Sequence, residues 1–382
     1  AARPAATVRV AVEKDNVGEI KALLRGEIAV IERGVDVATD VIYRPYQLLA
    51  PAELPWLTHV GRRLVVGQLD MIGFSNPSYH PSPALFHMVR NLQRLTMRVA
   101  DGVTFISEFG RLQAMVECPD LEVNRCFVVS SGAGTPDRQL AGPRPGERAY
   151  VLCLSAFFWH KNREHAIRTF AAMVADHGYG GELRIAGPEP IYGRSTEAEA
   201  DLLAAMPADV RARVHYLGRV DEPTKWSLLE HADLLIYPSV VEGFGMVPFE
   251  AAAVGTPSVV APGSALAEVF DGTGAVIDSW DEGVWAARSS LLVTDDKAAL
   301  QVIDAILERA RLHSWRRVAE ATWSAIDVVV ARPRARLHHD EGGVRSRVAA
   351  REETAGAVSS VHFVNRVEAY ARRRFGRVVR HR

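Results

Sequence analysis

Short apolar runs rich in β-branched residues recur along the chain, and longer stretches with apolar positions three and four apart separate them. VRVAV, EIAVIE, DVIY, RLVVG, GVTFIS and RCFVVS fall within residues 8–130; YVLCLS, ELRIAG, RVHYLG, ADLLIYPS, TPSVVA and GAVID follow within 150–278. Each reads as a buried strand, and the alternation with helical spacing predicts parallel sheets with crossover helices. The stretch 163–175 shows the helical period, with Ala166, Ile167, Phe170, Met173 and Val174 on one face, and 222–231 repeats it. No internal short-period repeat or heptad array interrupts this pattern.

The loop AGPRPGER divides the strands into two sets, because its Pro and Gly mark a boundary near residue 145. The expected architecture is α/β: two Rossmann-like, doubly wound units over 1–145 and 146–330, followed by a tail over 331–382. A cleft between the units would hold the ligand beyond the carboxyl ends of the strands. The composition agrees, since 382 residues with 48% hydrophobic and 24% charged side chains suffice for two cores. No apolar run reaches about 18 residues. The opening AARPAATVRV lacks a basic-then-apolar leader pattern, so a cytoplasmic protein is expected. Cys118, Cys126 and Cys153 form no CxxC pair and suit reduced thiols.

Charge is unevenly distributed. Residues 331–382 hold 13 arginines against five acids, a balance of +8 that leaves −9 on the other 330 residues of a chain of net charge −1. Such a tail fits either a solvated linker or a peripheral contact with an anionic membrane face; its Ala, Gly and Ser content favours the linker, and no nucleic-acid partner is expected.

The chemistry concentrates after the run DLLIYP. There Ser239 precedes Glu242-Gly243-Phe244-Gly245, and Met246-Val247-Pro248-Phe249-Glu250 opens an apolar helix. Pro248 suits a first helical turn, while Gly243 and Gly245 let the backbone approach a ligand closely. The helix N-terminus makes an anion site fit for a nucleotide diphosphate. Glu250, a turn further on, would reach a ribose hydroxyl and Glu242 would face a sugar. Alone, two glutamates eight apart read far more readily as a plain turn with solvated carboxylates.

The whole stretch LLIYPSVVEGFGMVPFEAAAVGTPSVVAPGSALAEVF closely resembles the donor domain of the family 4 glycosyltransferases, which share the GT-B architecture. Its Pro-Ser, Glu-Gly-Phe-Gly, Glu-Ala and Gly-Thr-Pro elements fall in the family order. SAFFWHKN, LRIAGPE ending its strand at Gly187, and VHYLGRVDEPTK extend the likeness over 150–330. The resemblance implies that Lys161 and Lys225 contact the diphosphate and that Val220 meets the base through its backbone. It further implies that Met246 and Val247 offer N–H groups to phosphate, that Glu250 holds the ribose and that Glu242 binds the transferred sugar. The implied reaction moves a hexose from a nucleotide-diphosphate sugar to a hydroxyl of a glycan, glycolipid or small acceptor with retention, in a setting such as cell-envelope polysaccharide synthesis. A catalytically weak nucleotide-binding or scaffold module is the alternative.

The chain also departs from the family pattern. Between Ser155 and His160, where many members carry one or two arginines, there are none, and His160 directly precedes Lys161. RLVVGQLDMIG has Leu69-Asp70 where members often have His-Asp. VADGVTFISEFGRLQ, with Ser107-Glu108, and VVSSGAG, with Gly132, match later first-domain strands. A glycine-rich loop after the first strand is not recognisable before residue 60, so an incomplete or divergent first domain is expected. No GxGxxG opens a helix and no GxxxxGK[ST], Asp-x-Asp or HExxH occurs, which predicts no metal and no cofactor beyond the nucleotide-sugar co-substrate. His80, His87, His338 and His339 show no ligand spacing and receive no role.

Overall fold

The structure, a computed structural model, describes residues 6–24, 28–35, 37–133 and 150–334. Eleven of the twelve apolar runs form strands: β1 (Arg9–Val12), β2 (Ala29–Glu32), β3 (Thr39–Arg44), β4 (Gly61–Gln68), β5 (Gly102–Phe105), β6 (Cys126–Val128), β7 (Tyr150–Leu154), β8 (Glu182–Ala186), β9 (Val214–Gly218), β10 (Leu234–Tyr237) and β11 (Ser258–Val260). GAVID makes a single parallel bridge, Val276 with Val260. All strand pairs described are parallel.

The first six strands do not form one sheet. β3-β4-β5-β6 make a four-stranded sheet, while β1 and β2 pair separately. β1 is exposed or half-buried along its whole length, whereas β5 is buried throughout, so the first strands lack the two-sided cover that a central parallel strand requires. Leu64, Val66, Val103 and Phe105 of the four-stranded sheet pack with Phe74, Leu92 and Met97. Most of these come from the helix Pro83–Val99, started by the Ser82 side chain accepting from the Leu85 N–H at 3.2 Å.

The second set forms a five-stranded sheet of order β11-β10-β7-β8-β9. Strand order therefore reverses between β7 and β10, which pair through Leu234–Val151 and Leu235–Leu152. The loops leaving these two strands lie at their carboxyl ends, at the switch point where a doubly wound sheet forms its crevice. The helix Arg163–His177 returns from β7 and buries Ala166, Ile167, Phe170 and Met173 against the sheet. Phe249 and Trp285 close the other part of the same core.

The helix Trp315–Ala331 crosses back to the first sheet. Val329 lies so close over Gly102 that a Cβ there would sit 2.6 Å from it, and the Trp315 ring covers Gly132 in the same way at 2.5 Å. Arg63 Nη2 donates to the Arg332 carbonyl at 2.6 Å. An amphipathic period specifies the buried stripe of a helix but not which sheet it covers, and so residues up to 330 read as part of the second unit. AGPRPGER and the basic residues beyond 334 lie outside the described residues. Among the described residues no helix is long and apolar enough to cross a membrane.

Candidate functional site

The loop after β7 runs beside β8, with the Ser155 N–H donating to the Ala186 carbonyl at 2.9 Å. It ends in a single tight turn, Trp159–Lys161, and Asn162 takes a left-handed conformation (φ 48°) before the helix Arg163–His177. The loop after β10 lies alongside: the Val240 N–H donates to the His160 carbonyl at 2.8 Å. This pairing brings Lys161 and Glu242 together, Nζ to Oε1 at 2.5 Å. Tyr237, the last residue of β10, donates its hydroxyl to the same oxygen at 2.7 Å. Glu242 is only 8% exposed. Burial by itself would raise its pKa; the charge and hydrogen bond of Lys161, with the Tyr237 hydrogen bond, outweigh burial and hold the carboxyl below its ordinary range. The Glu242 N–H donates to Ser264 Oγ at 3.3 Å, and Ser264 itself is left-handed (φ 52°) after Gly263 (φ 88°).

A second lysine–glutamate pair lies further along. The helix Met246–Ala253 begins at Gly245, whose φ of 98° and a Cβ that would fall 2.5 Å from Leu266 both require glycine. Its first turn carries no acidic side chain, so no carboxylate of that turn offsets its positive end. Glu250 on this helix accepts from Lys225 Nζ at 3.0 Å, and Lys225, on the helix Glu222–His231, is also 3.0 Å from Glu222. Met246 is half-buried, whereas the Val247 side chain is buried, so a contact from Val247 to a ligand would run through its backbone. The same holds for Phe244, whose ring is buried against Phe249 (centroids 5.7 Å) and His313 (5.0 Å). Gly187 closes β8, with its N–H on the Gly218 carbonyl at 2.8 Å, and half-buried Val220 follows β9.

The first unit reaches this crevice through Leu69-Asp70. A Cβ on Gly243 would lie 2.3 Å from the Leu69 carbonyl oxygen, so the glycine is needed for the two units to meet here. Asp70 accepts from the Ile72 N–H at 2.9 Å. Loss of water raises its carboxyl pKa, and the negative charge of Glu242 adds to this. His160 is neutral near pH 7, its pKa pushed down to about 4 by burial and further by Lys161. Among the described residues no group of three or more His, Cys, Asp or Glu side chains is placed to hold a metal ion.

Three contributors escaped the sequence reading. Tyr237 was visible only as the end of the run LLIY at the reversal of strand order. Ser264 carries no compositional mark of its left-handed backbone. Asp70 was noticed for its neighbour, and nothing in the chain order indicated that it meets Gly243.

Residues 138–309 match the family described as Glycosyl transferases group 1. A D-inositol 3-phosphate glycosyltransferase of Corynebacterium efficiens is 32% identical over 227 residues, covering 54% of this chain and 52% of the relative. Its counterpart in Corynebacterium glutamicum is 28% identical over 239 residues, covering 58% and 56%. The chain thus spans about half the length of the curated relatives it matches. Among solved structures, a sucrose-phosphate synthase from Thermosynechococcus elongatus aligns with a TM-score of 0.60 at 16% identity, over 76% of this chain and 74% of that one. A mutant of S. aureus TarM, in complex with UDP among other ligands, aligns with a TM-score of 0.55 at 16% identity, over 72% and 54%. At such identities the likeness establishes the fold, a GT-B arrangement of Rossmann-like units.

Proposed function

We propose that this chain, which belongs to the group 1 glycosyl transferases through its residues 138–309, moves a hexose from a nucleotide-diphosphate sugar to an acceptor hydroxyl with retention of configuration. The observation that carries the reading is the assembly, at the switch point of the second sheet, of two lysine–glutamate pairs from four separate segments: Lys161 with Glu242 and Lys225 with Glu250. Cations there, together with the N-terminus of the helix Met246–Ala253, would meet a diphosphate, and the carboxylates would accept from hydroxyls of sugar and ribose. In the reaction the bond between the anomeric carbon and the phosphate oxygen breaks while the acceptor oxygen bonds to that carbon on the same face. The acceptor proton passes to the departing phosphate. Negative charge grows on the diphosphate as the bond breaks, so Lys161 and Lys225 would stabilise the transition state more than the ground state. In this reading charge neutralisation needs no metal ion, and a glycan, a glycolipid or a small polyol phosphate, the class named in the inositol phosphate relatives, is the acceptor to test.

The test is thermal shift of the purified chain against GDP, UDP, ADP and dTDP sugars. A ligand at a hundred times its dissociation constant stabilises by about 2.7 kcal/mol. A melting temperature indifferent to all four would refute the proposal. A second reading, a nucleotide-binding module that does not transfer, is favoured by Leu69 standing where family members often have His; nucleotide binding without donor hydrolysis or transfer would establish it.

A further inference from the structure

One residue of the first unit enters the second next to Lys161. Tyr79 closes the short turn Pro77–Tyr79, a few residues after Asp70. The turn is braced by the Asn76 side chain, which accepts from the Ser78 N–H at 3.1 Å, and by His80, whose Nε2 lies 2.7 Å from the Gly73 carbonyl. The Tyr79 ring packs edge-on against both Phe158 and His160, at 5.3 and 5.4 Å between centroids. Those two rings are stacked on each other at 5.4 Å. The Tyr79 hydroxyl oxygen accepts from the His160 backbone N–H at 3.2 Å and shares a hydrogen bond with His160 Nδ1 at 2.8 Å. On its other side the ring lies over Gly193, where a Cβ would fall 1.8 Å from Tyr79 Cδ1 and where φ is 66°. Gly193 in turn holds the turn that carries Lys161, its carbonyl accepting from the Trp159 N–H at 3.0 Å.

A continuous path of short contacts therefore runs from the first unit to the charged pair. Tyr79 grips His160 at both its ring and its backbone; the His160 carbonyl receives the Val240 N–H; and Lys161, the next residue, reaches Glu242. The path contacts Lys161 and Glu242 from the side of the loops that carry them, so it can shift where these two side chains stand without touching a nucleotide.

We propose that Tyr79 is a positioning residue: seated between Phe158, His160 and Gly193, it docks the first unit onto the loop that carries Lys161, and so places Lys161 against Glu242 only when the two units are together. The proposal rests on the reading of the site as a sugar-transfer centre. Lys161 meets the diphosphate in that reading but gains most as negative charge grows on the departing phosphate; Tyr79 then acts on turnover more than on nucleotide affinity.

The experiment approaches the contact from both units in the full chain. Tyr79→Phe removes the hydroxyl and keeps the ring, Tyr79→Ala removes both, and Gly193→Ala drives a methyl into the ring from the opposite side. Hydrogen exchange of the segments 157–163 and 238–243 needs no substrate and is read first. Faster exchange of both segments is expected in all three variants, with Tyr79→Phe the mildest. Donor turnover should fall about two- to tenfold in Tyr79→Phe, the range that one net hydrogen bond supplies, and further in the other two. Nucleoside diphosphate affinity, measured by calorimetry, should stay within about twofold in Tyr79→Phe. Combining Tyr79→Ala with Gly193→Ala should cost no more than the worse single variant, since both remove one contact. Unchanged exchange in Tyr79→Phe and Tyr79→Ala, additive losses in the double variant, or nucleotide affinity falling in step with turnover would each overturn the proposal. If the parent chain binds no sugar nucleotide, the proposed function fails, while the exchange comparison still decides whether Tyr79 holds the Lys161 loop.

Discussion

Replacing Lys161 by methionine isolates the physics of the site. The side chains of Lys161 and Glu242 are 14% and 10% exposed, so the pair is close to fully buried. Removing one partner of a buried pair leaves an uncompensated charge and costs about 3–5 kcal/mol. The Tyr237 hydrogen bond survives the change and some water still reaches Glu242, which brings the cost below that range, to about 2–3 kcal/mol. In a domain of this size each kcal/mol moves the melting temperature by about 2–4 °C, so a fall on the order of 5–10 °C is expected. Adding Glu242→Gln to Lys161→Met removes the stranded charge and keeps an acceptor for Tyr237; most of the loss should return. The pH dependence gives a sharper sign. In the parent chain the Glu242 pKa is depressed, so its contribution is complete above the unfolded carboxylate pKa and drains away only as pH falls through the lower folded value. Without Lys161, burial outweighs the remaining Tyr237 hydrogen bond and pushes Glu242 above its unfolded value. The folded variant then binds the extra proton, and its stability falls as pH rises through the new folded pKa. Melting curves at pH 5, 6, 7 and 8 should therefore slope downward for Lys161→Met from the acid side, and be flat with respect to this group for the parent and the double variant. Parallel pH profiles for the parent and Lys161→Met, or a double variant as unstable as the single, would show that Glu242 is not held by Lys161.

Glu242→Ala should reduce sugar transfer far more than it weakens the nucleoside diphosphate, whereas Glu250→Ala should weaken the nucleotide itself; calorimetry with the free diphosphate separates them, and equal losses of affinity would refute the division. Lys161→Ala should lower kcat on the order of 10²-fold, as for one charged stabiliser of a growing anion, and unchanged turnover would remove Lys161 from the chemistry. Transfer should persist in excess EDTA, because Lys161, Lys225 and a helix N-terminus supply the positive charge; loss restored by a divalent ion would contradict that. Gly187→Ala should destabilise by about 2–4 kcal/mol, since a Cβ there meets the Ser155 carbonyl oxygen at 1.9 Å in a backbone region reserved for glycine (φ 152°), and an unshifted melting curve would show that the strand end moves freely.

Much of this fold could be read from residue order because its causes are local. A run such as YVLCL is buried on all five positions of β7, and such a run has few other places to go than a central parallel strand. The stretch 222–231 starts with Asp221, whose side chain accepts from the Thr224 N–H at 3.0 Å, and places Pro223 in the first turn, so its N-terminus was marked in the sequence. Glu242 and Glu250 were singled out by the family likeness of the stretch around them, since two glutamates eight residues apart say little by themselves. What could not be read was contact between distant segments. Lys161 lies 81 residues from Glu242, and nothing in either stretch reveals that the two pair with each other. Phe244 sits between the two glycines of the loop, and its ring packs in the core beside Phe249, a contact that residue order leaves unmarked. The helix Trp315–Ala331 and the turn carrying Tyr79 belong to the same class, since each takes its position from a partner hundreds or tens of residues away.

The two pairs also limit how a donor could enter. Each lysine is already neutralised by a glutamate, so in the proposed reaction a diphosphate cannot simply add to free cations; it has to share Lys161 and Lys225 with Glu242 and Glu250. Drawing Lys161 toward phosphate weakens its hold on Glu242, and a buried carboxylate deprived of its counter-charge costs several kcal/mol unless another donor replaces it. In that reaction sugar hydroxyls would be such donors at Glu242, and ribose hydroxyls at Glu250. A ligand with phosphates alone would leave both carboxylates short of donors, and one with hydroxyls alone would leave the lysines where they are. The exchange closes without loss only for a molecule that carries both groups in one piece, with the hydroxyls on either side of the phosphates. That is the layout of a nucleotide-diphosphate sugar, and it assigns the glutamates, more than the lysines, the work of telling that donor from a bare diphosphate.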